Sequence, residues 1–148
     1  MGLLSFLQKK LPIDTTQIEQ AIAKLEQASS AELRVVVERK SKTDQAMERA
    51  TEVFNALKMY ETADRNAVLI YLSFKPHHLA IIGDKGIHQK VAPDFWQKIY
   101  DAMKQDCQAA CFTQAICRGI EAVQVELAHH FPRKENDQNE LPNEVIIK

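Results

Sequence analysis

The chain has 148 residues, of which 45% are apolar and 26% charged, with a formal net charge of −1. That length and composition suit one soluble globular domain with a full core, and the balanced charge offers no basic face for nucleic acid. No window approaches the ~20 apolar residues that span a bilayer, so direct membrane insertion is not expected.

Residues 1–13 form a short lead-in. Its apolar stretch precedes its lysines, the wrong order for a secretory signal. Phe6 stands where a myristoylation site wants serine or threonine. Asp14 or Thr15 can cap a first helix that carries Ile18, Ala21, Ile22 and Leu25 to Gln27. Leu33–Glu38 is short and valine-rich, a strand covered on both faces. A second helix is expected from Thr43 to Met59, with Ala46, Ala50, Val53, Phe54 and Leu57 inward and Glu48, Arg49 and Glu52 facing water.

Two strands follow, Ala67–Ser73 and His78–Ile82, around a Lys75-Pro76 turn. Ile87–Val91 reads as a short helical turn, and Pro93 opens a helix that runs to about Ala109. The last helix spans Thr113 to His130 and stops at Pro132. The domain is therefore expected over 14–132, with a polar tail over 133–148. The apolar close of that tail docks as an edge strand, lies across the domain, or binds a partner. The fold class is α/β, a small mixed β-sheet sandwiched by helices.

Three cysteines, Cys107, Cys111 and Cys117, sit close together on predicted helix, which argues against a disulfide framework. With no signal segment, a cytoplasmic location is expected. Cys107 and Cys111 lie one helical turn apart, yet no nearby histidine or aspartate completes a metal set, so buried thiols are the favoured reading. The pairs His77-His78 and His129-His130 make no ready chelate, because adjacent side chains diverge on strand and helix alike. Phe95 and Trp96 read as packing at a helix start.

The hairpin carries the best site candidate. Its antiparallel strands bring Asp64, Arg65 and Asn66 near Asp84 and Lys85, and a right-handed crossover places Glu32 at the same end. Asp64 and Asp84, with Glu32, could offer oxygens to calcium or magnesium. The competing reading, which is favoured, has Asp64 and Asp84 capping turns while Arg34 or Arg65 pairs with them. Arg34 and Arg65 could instead clamp a phosphate, helped by Lys85 and the amides around Gly83 and Gly86. Candidate catalytic groups are thus Arg34, Arg65 and Asp84, and candidate ligand-binding residues are Glu32, Asn66, Gly83, Lys85 and Gly86. No nucleophile motif accompanies them. This is the amino end of the parallel pair, whereas open α/β sheets usually bind ligands at the carboxyl end.

Three blocks, Ser-Ser-Ala-Glu-Leu-Arg-Val-Val-Val-Glu, Asp-Arg-Asn-Ala-Val-Leu-Ile-Tyr-Leu-Ser and Ala-Ile-Ile-Gly-Asp-Lys-Gly-Ile, occur in order. Together they resemble the TPM-domain family from about residue 15 to residue 131. The resemblance implies an αβα sandwich. It also implies acid-phosphatase activity as in plant members, or divalent-ion binding through acidic loops as in some bacterial members. The family's Asp/Asn-Gly-Val-Leu block falls on Asp64, Asn66, Ala67, Val68 and Leu69, with alanine for the usual glycine. Its Gly-x-Gly turn falls on Gly83 and Gly86, and its acidic residue before the next helix on Asp94. Many members carry a signal peptide and a membrane-spanning tail, and this chain looks like a stand-alone version. The expected function is a cytoplasmic accessory or interaction domain, modulated by a divalent ion and working with a membrane-associated protein partner. The alternative is a metal-assisted, acid-phosphatase-like phosphomonoester hydrolase.

Overall fold

The computed structural model describes residues 11–135 and 141–148. The first part of the lead-in, 1–10, and the middle of the polar tail, 136–140, lie outside the described residues. Helix α1 spans Thr15–Ala28, and Asp14 caps it by accepting the Gln17 N–H at 3.1 Å. Strand β1 covers Glu32–Glu38, and helix α2 covers Ala46–Ala56. The hairpin strands are β2, Ala67–Phe74, and β3, His77–Gly83. A single turn α3, Lys85–His88, leads to α4, Phe95–Gln108, and α5, Phe112–His130. Strand β4 is Ile146–Ile147.

The sheet has four strands in the order β3-β2-β1-β4. β1 and β2 are parallel, in register from Glu32 beside Ala67 to Glu38 beside Ser73, and β3 runs antiparallel to β2. Every residue of β1 is buried, as its valine run requires. Alternation sends Leu33, Val35 and Val37 toward Ile22, Ile116 and Met103 of α1, α5 and α4. Val36, with Leu69 and Tyr71, meets Ala50, Val53 and Phe54 of α2 on the other face. The result is the αβα sandwich expected. Among the described residues, no helix is long and apolar enough to cross a membrane.

Helix α2 is shorter than Thr43–Met59, for two physical reasons. At its start the Ser41 and Thr43 hydroxyls bond the backbone of Thr43 and Gln45, which competes with helix formation. At its end Lys58 adopts a left-handed φ of 54°. Arg49 does not face water; it is 7% exposed and turned onto Glu38.

Of the fates open to the C-terminal residues, the edge strand is the one adopted. β4 runs parallel to β1, and the Lys148 N–H donates to the Val37 carbonyl at 2.9 Å. The Arg39 N–H returns the bond to Lys148 at 3.0 Å, and Leu141 joins the α2 core. The Val145 N–H donates to Glu19 on α1 at 3.0 Å.

Candidate functional site

At the hairpin corner, Arg65 sits in left-handed backbone, φ 50°, and turns its guanidinium onto Asp84. The contact is two-pronged: Nε to Oδ2 at 2.7 Å and Nη2 to Oδ1 at 2.9 Å. Asp84 also caps α3, its Oδ1 accepting the Lys85 N–H at 2.8 Å, and its own N–H donates to the Ala67 carbonyl at 2.9 Å. The carboxylate holds the Arg65 guanidinium even more firmly protonated than usual. Gly86 is required by close approach. Its N–H donates to the Arg65 carbonyl at 2.9 Å, and a Cβ there would stand 2.2 Å from the Asp64 carbonyl oxygen.

This arrangement sorts the corner candidates. Asp84 and Arg65 are brought together, as partners for each other. Asp64 is directed to Lys134 at 3.6 Å, in an exposed pair. Each aspartate thus has its own cation, and the capping reading describes Asp84. Gly83 serves packing: a Cβ there would lie 2.1 Å from the Trp96 ring. Lys85 is exposed at the start of α3. Among the described residues, no group of three or more histidine, cysteine, aspartate or glutamate side chains is placed to hold a metal ion.

Glu32, Arg34 and Asn66 are buried at the amino end of the parallel pair, at 2%, 8% and 1% exposure. Arg34 lies on the α2 face of β1, opposite Leu69 in register, and does not pair with either aspartate of the corner. Burial pushes its pKa down, opposed by the nearby charge of Glu144. Glu32 instead meets Glu26, from the last turn of α1. Burial, the hydrogen bond to Glu32 and its charge push the Glu26 carboxyl from 4.5 up to about 8, against a bond from the Leu33 N–H and one from Asn143. The raised Glu26 carboxyl favours its protonated form beside Glu32. Near the same end, Asn66 Oδ1 and Nδ2, Arg34 Nε and Ser30 Oγ find no hydrogen-bond partner among the described residues. Glu26 was missed because nothing local in a helix end reveals that its carboxyl meets a strand start; Glu32 facing inward was the available signal.

The carboxyl end of the pair holds a second polar group that sequence reasoning missed. Arg49 grips Glu38 with Nε to Oε1 at 2.9 Å and Nη2 to Oε2 at 2.7 Å. The Tyr71 hydroxyl donates to the same Oε1 at 2.5 Å. The Arg49 bond draws the Glu38 pKa down, and burial raises that of Tyr71. Strand alternation places Glu32, Arg34 and Glu38 on one face, which was the signal available.

The thiols are unactivated where buried. Desolvation pushes Cys107 up to about 11 and raises Cys117, while Cys111 is exposed. His88 accepts the Trp96 Nε1–H at 3.1 Å.

Comparison with known proteins agrees with this architecture. The family model for the TPM domain matches residues 6–126. The NMR structure of BA42 protein from the psychrophilic bacterium Bizionia argentinensis superposes with a TM-score of 0.84 at 34% identity, over 95% of this chain and 99% of that one. No curated protein matches. The fold, the hairpin corner and the extent of the match lead to one assignment: the chain belongs to the TPM domain family.

Proposed function

We propose that this TPM domain is a cytoplasmic accessory module that binds a partner and does not hydrolyse phosphate esters. The observation that carries this reading is the closed Arg65–Asp84 pair, at 2.7 and 2.9 Å. The phosphatase alternative at this corner would use Arg65 as a fork open to phosphate and Asp84 as a ligand of an ion that activates water. Here the fork is filled by Asp84, and Asp84 is further committed to the α3 cap. The family resemblance favours a membrane-associated protein as the partner.

The test is turnover of a generic phosphomonoester with calcium, magnesium or manganese added. Background rates are expected throughout. Turnover that disappears in Asp84→Asn, with the fold intact, would overturn the reading and restore the phosphatase.

Sensitivity to calcium or magnesium belongs, on this reading, to the Glu26–Glu32 pair. A carboxyl that favours its proton beside a second carboxylate suits a hard cation in the proton's place, since both groups supply oxygen. Calorimetric titration should show heat that grows with pH in the native protein and is absent in Glu26→Gln. No heat and no thermal shift would remove the ion from the account.

A further inference from the structure

β3 forms one edge of the sheet. Its inner side is fixed: Asp84 bonds Ala67, and the register sets Ile82 against Leu69 and Ala80 against Tyr71. In an antiparallel ladder the hydrogen-bonded pairs alternate, so the backbone groups of Leu79 and Ile81 point away from β2. Beside them lies a cavity of about 270 Å³, walled by Ala46 and Met47 of α2 and by Trp96 and Tyr100 of α4. A second cavity, about 210 Å³, shares Leu79 and Tyr100 with the first and extends to His77, Lys104 and Phe112. Together they make a groove along the strand edge. Met47 stands 55% exposed on its rim and adds apolar surface there. The groove has a sign as well. Lys104, His77 and His78 supply its basic groups, and among the described residues neither cavity is lined by a carboxylate.

We propose that this groove takes an extended segment of a partner protein, laid along β3 as an additional strand. The segment carries apolar side chains at alternate positions and a carboxylate at the end beside Lys104. The inference rests on the binding-module reading and names the chemistry of its partner. Outward N–H and C=O groups at Leu79 and Ile81 give the added strand its ladder. Because strand side chains alternate, one set falls toward Ala46 and Met47 and the other toward Trp96 and Tyr100. A cationic end whose lining holds no carboxylate selects an acidic terminus over a basic one.

The experiment titrates two short synthetic peptides of alternating valine and threonine, one ending in two aspartates and one in two lysines. The isotope-labelled full chain is followed by NMR. The aspartate-ended peptide should saturably shift the Leu79 and Ile81 amides and slow their hydrogen exchange. Lys104→Glu, on an exposed position, should weaken that peptide about fivefold while the rest of the spectrum stays native. Met47→Asp should weaken it as well. Absence of shifts with either peptide overturns the inference, as does equal binding of the lysine-ended peptide. The same amides shifting with protein concentration alone would assign the edge to a second copy of the chain and overturn it too. Peptide binding together with phosphomonoester turnover would overturn the non-hydrolytic reading alone. Neither binding nor turnover would overturn this inference alone.

Discussion

Arg49 reaches from α2 to hold both oxygens of Glu38 at the end of β1, at 2.9 and 2.7 Å, with the Tyr71 hydroxyl on the same carboxylate. The pair is nearly sealed from water, at 9% and 3% side-chain exposure. Removing one partner leaves the other charge stranded, which costs about 3–5 kcal/mol, whereas replacing both by apolar groups costs far less. Arg49→Met should therefore destabilise strongly in urea, and Glu38→Leu combined with Arg49→Met should recover most of the loss. Equal instability of the single and double variants would show that the clasp is not the cause.

Burial and the neighbouring Glu32 push the Glu26 carboxyl from 4.5 up to about 8 in the folded chain. Between those values the folded state keeps a proton that the unfolded state has released. Stability from this group is therefore greatest in acid and falls as pH rises through the folded value. Melting temperature should drop across that window in the native protein. Glu26→Gln should flatten the profile, and an unchanged slope in that variant would refute the raised Glu26 carboxyl.

Gly86→Ala places a methyl group 2.2 Å from the Asp64 carbonyl oxygen and 2.6 Å from that of Arg65. Neither is a side chain that can swing aside. The backbone must part, at a cost of about 1–3 kcal/mol, and the Arg65–Asp84 corner should loosen with it. Chemical denaturation measures the first effect and exchange of the Gly86 amide the second.

Deleting 146–148 uncovers the outer edge of β1 where Val37 and Arg39 now bond to Lys148. An exposed, valine-rich edge invites pairing with another chain. The truncated protein should associate with rising concentration in sedimentation experiments, and a second truncation carrying Arg39→Pro, which removes the outward N–H of an exposed residue, should associate less.

A thiol reagent should label Cys111 first. It is exposed, whereas burial raises the Cys107 and Cys117 thiols and lowers their thiolate fraction. Fast modification of all three in the folded chain would contradict the packing of α4 on α5.

Much of the layering could be read from the sequence because periodicity is local. The apolar stripe of α1, the valine run of β1 and the hairpin each needed only neighbouring residues to be legible. The close of the tail was left open between docking and free binding, since its partner, β1, lies more than a hundred residues away in the chain (110 from Val37 to Ile147). Arg49 illustrates the limit more sharply. On a helical wheel it stands with Glu48 and Glu52 on the polar side. Only the carboxylate at the end of β1 turns it inward, and no rule of helix periodicity contains that information. At the corner, the capping role of Asp84 followed from turn chemistry, but the merging of cap and arginine fork into one closed unit required the positive φ of Arg65.

Trp96 is the chain's one tryptophan. Its ring presses on Gly83, its Nε1–H goes to His88, and its flank walls the edge groove. All indole emission from this protein therefore originates at a single wall of that groove. The molecule carries its own optical probe of the sheet edge, tuned by the imidazole beside it and needing no added label.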